Sequence, residues 1–242
     1  MNRSSKLLLD ILFGAVIPIL ILSFLTDPLG APTAYVFSAL VPVAWVFIDL
    51  AFITRRFNYI TSYIGLTAIV RGALAFWFVD GAQFALKDTA GLLVAVLVFG
   101  ISLLVGRPFL RYFLVQALNP DTQEREAALD ELLAEPPVSR ALYTGTLIVL
   151  VFNIISAIAN FFLNLFIVVA PFGTLEFNLQ VAQVNAITRI VLLIPDMLSL
   201  GLAFWLIYRG MFKVLPSEEG KLQIESDFWD LIALRKQQQS SG

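Results

Sequence analysis

Six long apolar stretches run through this chain, at roughly 7–25, 34–53, 59–79, 89–105, 142–170 and 181–208. Each is long enough to cross about 30 Å of hydrocarbon as a helix. Inside a bilayer the backbone must satisfy its own hydrogen bonds, which leaves only helices or a closed barrel. Barrel strands alternate polar and apolar residues, and these stretches do not. The predicted fold is therefore all-α: a polytopic membrane bundle of six transmembrane helices. Charge is scarce accordingly, at 14% of residues, against about a quarter in soluble domains.

The connecting segments set the orientation. Of the 16 Lys and Arg residues, Arg3, Lys6, Arg55, Arg56, Arg107, Arg111, Arg125, Arg140, Arg209, Lys213, Lys221, Arg235 and Lys236 fall on one side of the six-span threading. Lys87 alone falls on the other, and Arg71 and Arg189 lie within spans. Basic loops stay cytoplasmic, so both termini are expected there. The first stretch is too long for a signal-peptide core and reads as an uncleaved anchor.

The membrane domain is expected over 1–209. Its one clear extramembrane insertion is NPDTQEREAALDELLAEPP, read as a cytoplasmic acidic helix over 121–135. Asp121 and Glu124 fit a capping box at its start, and Pro136-Pro137 mark its end. Leu129, Leu132 and Leu133 share one face. The tail, 210–242, carries SDFWDLIALRK, a short amphipathic helix. These two helices are the surfaces expected to meet other inner-membrane proteins.

The chain has no Cys and no His, which excludes thiolate, disulfide and imidazole-metal chemistry. No nucleophile elbow, phosphate loop or other catalytic signature occurs. The expectation is a protein that is not an enzyme and uses no cofactor. With a net charge of −2 and no basic patch, its expected partner is the lipid bilayer and not nucleic acid.

Charges within the spans carry the functional hints. An ionised side chain at mid-bilayer costs at least about 2.5–3.5 kcal/mol, so it faces protein or water and has a partner. Arg71 lies in span 3; Arg189 and Asp196 lie on one face of span 6. Asn153, Ser156, Asn160 and Asn164, spaced 3, 4 and 4 apart, form one stripe of span 5. These seven residues form a candidate polar network, in which Arg71 is expected to meet Asp196 directly, through Asn160 or through water. Asp10, Asp49, Arg55, Arg56 and Arg107 form a second set, on the cytoplasmic side.

The order of four elements is also informative. LLLDILFGAVIPILI, a span ending in RRFNYIT, one closing in FVDGAQFALKDT and one closing in LVGRPFLRYFL follow one another. Over residues 7–115 this resembles the intracellular septation protein A family and related bacterial multispan proteins. The acidic helix and spans 5 and 6 extend beyond the short form of that family. The resemblance implies a bacterial cytoplasmic (inner) membrane protein linked to envelope synthesis or division, without a defined reaction. It points to Asp10, Arg55, Arg56, Asp80, Lys87 and Arg107. Two functional readings follow: a non-enzymatic envelope protein acting through partners, and a transporter or lipid-handling protein with a polar path lined by spans 3, 5 and 6. A water-accessible cavity reaching Asp196 separates the second from the first.

Overall fold

The computed structural model describes residues 3–54, 59–217 and 226–240. Among these, all regular structure is helical. Helices α1 (Arg3–Ile11), α2 (Ile17–Phe24) and α3 (Thr26–Leu29) lead into α4 (Ala31–Ile48) and α5 (Tyr59–Ala75). They are followed by α6 (Gly81–Leu104), α7 (Phe109–Leu118), α8 (Gln123–Ala134) and α9 (Pro136–Ile167). Helices α10 (Leu175–Val191), α11 (Leu193–Phe212) and α12 (Phe228–Ser240) complete the order. π-Helical segments occupy Leu12–Val16 and Asp49–Thr54.

Among the described residues, four helical stretches are long and apolar enough to cross a membrane: Ala31–Ile53, Gly81–Leu104, Pro136–Ile167 and Leu175–Phe212. Their large apolar side chains stay uncovered, with Leu104 88%, Phe166 73% and Ile190 70% exposed. Lipid covers such a surface in a membrane protein. Leu8–Phe24 is apolar but shorter, and α5 has 17 residues.

Several boundaries differ from the sequence expectation, each for a local reason. Span 4 starts at Gly81 and not at 89, because Lys87 and Asp88 sit inside the helix. Span 5 starts at Pro136 and not at 142. A proline in the first turn loses no helical hydrogen bond, so the Pro-Pro pair that stops α8 also opens α9. The last span is one 38-residue stretch broken at Leu192. Pro195 has no N–H for the Val191 carbonyl four residues back, and the helix gives way just there.

The chain divides into two compact units, Met1–Leu97 with Phe152–Asp196, and Val98–Val151 with Met197–Gly242. In the first, α2 packs on α4 and α10, and α4 on α5. Its core is aromatic: the Phe177 ring stands 5.0 Å from Phe84, 5.3 Å from Phe172 and 5.8 Å from Tyr35. Asn178, fully buried, donates to Thr26 Oγ1 and the Ala31 carbonyl, both at 2.9 Å. That side chain therefore pins α10 to the start of α4. Gln180 Oε1 accepts from the Val169 and Ala170 N–H groups at 2.8 and 2.9 Å, which settles the backbone just beyond α9.

In the second unit, α9 and α11 approach closely at glycines. A Cβ on Gly145 would stand 3.3 Å from Ala203 Cβ, and one on Gly210 would stand 2.9 Å from Ala141 Cβ. Small residues let membrane helices gain packing that longer side chains would prevent. The acidic segment forms α8, and Leu129, Leu132 and Leu133 are all buried. Its cap is Thr122, whose hydroxyl accepts from Arg125 N at 3.2 Å. Asp121, expected at the cap, instead pairs with the Arg125 side chain at 2.9 Å. Helix α12 packs on α8, with Leu231 and Ile232 buried, Arg235 paired to Glu135 and the Arg125 guanidinium 5.1 Å from the Trp229 ring.

Candidate functional site

A cavity of about 570 Å³ lies within the first unit. That is within the usual range of about 300–1,000 Å³ for small-molecule sites. Among the described residues, five charged side chains line it: Arg71 from α5, Lys87 and Asp88 from α6, Arg189 from α10 and Asp196 from α11. The remaining wall is mainly apolar and includes Ile19, Val43, Ile64, Leu92 and Leu193.

Each charge is held by a different device. Arg71 crosses to α6 where Gly91 leaves room: a Cβ there would stand 2.8 Å from Arg71 Nε. Arg189 donates to the carbonyl of Gly14 in the first π-helical segment. In a continuous α-helix that carbonyl would take the N–H of residue 18, and residue 18 is proline. The arginine serves the acceptor that Pro18 leaves, and so ties α10 to the N-terminal helix. Lys87 is buried, donates to the Trp77 carbonyl, and lies 4.6 Å from the Tyr35 ring centroid and 5.9 Å from that of Phe84. A cation over an aromatic face is attracted by the ring quadrupole, which offsets part of its desolvation.

Asp88 is met from the polar stripe of α9. Asn164 Nδ2 donates to Asp88 Oδ2 at 3.0 Å and Asn160 Nδ2 at 3.2 Å. Asn160 also donates to Thr89 Oγ1 at 3.1 Å, and Asn164 to the Asn160 carbonyl at 2.9 Å. Asp196 stands in the first turn of α11 and on the cavity wall. Tyr63 of α5 also lines this cavity.

The structure thus brings Arg71, Asp196, Arg189 and Asn160 to one cavity wall. Ser156 and Asn164 are fully buried, and Asn153 is half-buried. Lys87 and Asp88 lie outside the predicted network, because charged residues at the edge of an apolar run look like the end of a span. Asp80 just before Gly81 was the available signal, since acids cluster at helix starts; its Oδ2 accepts from Phe172 N at 3.2 Å.

The second predicted set is not gathered at this cavity. Lys6 reaches Asp10 at 3.1 Å and Asp49 at 3.3 Å, and Trp45 Nε1 donates to Asp10 at 2.9 Å. Arg55 and Arg56 lie outside the described residues. Arg107 is exposed in the second unit.

No protein family matches this sequence, and no characterised protein or solved structure shows significant similarity to it. Function must therefore be argued from the cavity. Three cations face two carboxylates there. One carboxylate, Asp88, already accepts from two asparagines. Among the described residues, this lining has one more cationic side chain than carboxylate, in a medium of low dielectric where such an excess acts strongly.

Proposed function

We propose that this chain is a six-span protein of the bacterial inner membrane that binds a membrane solute in its first unit. It is a transporter or lipid-handling protein, with its polar path between spans 3, 5 and 6. The observation that carries this reading is the cavity itself, which reaches Asp196 and is lined by Arg71 and Arg189. Structural ion pairing alone needs no such volume. Leu8–Phe24 and α5 supply the two further spans: 17 helical residues rise about 25 Å, enough for a slightly thinned bilayer. With six spans, the basic residues collect on the side of both termini, which makes that side cytoplasmic.

Cysteine accessibility tests the reading cleanly, since the chain has no Cys. Thr67→Cys and Asn185→Cys, both on the cavity wall, should react with small charged thiosulfonates. The anionic reagent should outpace the cationic one, because the wall is positive. Ala157→Cys, at a buried site that does not line the cavity, should stay inert. Equal inertness at all three positions would remove the reading.

A second reading, an envelope or division protein acting through partners, draws support from α8. Its Glu124, Glu126, Asp130 and Glu131 are exposed and form an acidic surface suited to a basic partner. Glu126→Lys with Glu131→Lys should then abolish a division phenotype while leaving cavity accessibility intact. An unaltered phenotype would count against it.

A further inference from the structure

Arg71 and Arg189 approach the cavity from different helices, α5 and α10. Both line it and are exposed residues although they lie in apolar segments. The two guanidinium groups therefore share one cavity wall. Among the described residues, no carboxylate forms an ion pair within 4 Å of either guanidinium. Arg189 commits one N–H group to Gly14, and four of its five donors remain for other acceptors.

Two like charges on the wall of one low-dielectric cavity are costly unless an anion neutralises them. The donor geometry narrows the anion. One guanidinium fork satisfies a carboxylate with two parallel bonds. Two forks from different helices need an anion with three or more oxygens and about two charges, which describes a phosphate monoester. The rest of the wall narrows it again. Ile64 and Leu193 line the same cavity yet are 41% and 56% exposed, which leaves apolar surface next to the cationic pair. A free inorganic anion has no use for that surface, whereas an acyl or isoprenoid tail would cover it.

We infer that Arg71 and Arg189 form the headgroup site for a phosphate-monoester lipid whose tail lies along Ile64 and Leu193. This deepens the solute-binding reading and rests on it. The head takes both guanidinium forks, and Lys87, caged by Tyr35 and Phe84, adds positive potential without direct contact.

The test uses the full-length protein in detergent and three probes: dioctanoyl phosphatidic acid, dioctanoyl phosphatidylcholine and inorganic phosphate. Saturable one-to-one binding is expected for the phosphatidic acid alone, measured by calorimetry. Arg71→Gln and Arg189→Gln should each weaken it by about 10- to 100-fold, as expected for losing hydrogen bonds to a charged group. Arg71→Lys and Arg189→Lys keep the charge and lose the fork, so they should fall between wild type and the glutamine variants. They also serve as the readout if a glutamine variant fails to fold. Binding of inorganic phosphate as tight as that of the lipid would overturn the lipid assignment. Equal binding of the choline lipid would overturn headgroup recognition, and unweakened binding in all four variants would overturn the site. Absence of phosphatidic acid binding alongside reactive cysteines at 67 and 185 would sink this inference and leave the cavity reading standing. Inert cysteines would instead sink the cavity reading.

Discussion

Asn164 of α9 donates to Asp88 of α6 through a 3.0 Å hydrogen bond, with the asparagine fully buried. The residues are 76 apart in sequence and join the polar stripe of one long helix to a carboxylate within another. Asn164→Leu and Asp88→Asn should each lower stability by about 0.6–2 kcal/mol, the usual scale for such bonds in membranes. The double variant should lose less than the sum of the two. Detergent melting of the four proteins checks this, and strictly additive losses would show that the two side chains act independently.

Gly91 should matter for the ligand more than for the fold. A methyl group there meets the Arg71 Nε at 2.8 Å, and a flexible side chain can move away from it. Gly91→Ala should shift melting by less than about 1 kcal/mol while weakening phosphatidic acid binding at least severalfold. Gly100→Ala, with nothing within 4 Å of the added methyl, should change neither. Parallel effects of the two variants on binding would contradict the placement of Arg71.

In the second unit a glycine is tied to the backbone itself. A Cβ on Gly210 would stand 3.1 Å from the Pro137 carbonyl oxygen as well as 2.9 Å from Ala141 Cβ, so neither neighbour yields easily. Gly210→Ala should destabilise by about 1–3 kcal/mol through overpacking. Gly201→Ala, with open space around it, should be neutral or slightly stabilising because alanine favours helix. Thermal melting of both variants distinguishes the cases, and a neutral Gly210→Ala would contradict the close approach of α9 and α11.

The contact between α8 and α12 rests on Leu231, fully buried, and on the Arg235–Glu135 pair. Leu231→Ala should release α12, since such truncations cost about 2–5 kcal/mol. Amide exchange across 228–240 should then approach that of an unfolded peptide while the membrane helices keep their protection. Unchanged exchange there would mean that α12 is held by something other than this face.

The six-span threading predicts non-cytoplasmic signals from reporter fusions at Gly81 and Gly173, and cytoplasmic signals from fusions at Thr122 and Gly242. It is motivated by the one-sided distribution of basic residues. A cytoplasmic signal at Gly173 would refute it.

Much of this organisation was legible in the sequence. The apolar runs gave helices, and the leucine face of the acidic segment gave the buried side of α8. The 3, 4, 4 spacing of the α9 stripe put Asn160 and Asn164 on the face that meets another helix. Arg71, Arg189 and Asp196 were recognised because charge in an apolar run demands an explanation. Lys87 stood out only through the family resemblance, and neither it nor Asp88 was placed in the polar network, because charge at the edge of a run looks like the end of a span. Their placement in the fold depends on Tyr35 and Asn164, which are distant in sequence. The π-helical segment before Pro18 was illegible for a similar reason: the acceptor for Arg189 is a backbone carbonyl, and no residue type announces it. Thr122 displaced Asp121 as the cap by one position, a shift that pattern alone cannot fix.

The most direct test of the central claim is a density map of the protein in native lipid, at a resolution that shows side chains. The account predicts non-protein density between Arg71 and Arg189, continuing as a tail along Ile64 and Leu193. A collapsed cavity, with Arg71 in direct contact with Asp196 and no volume left between α5 and α10, would contradict it.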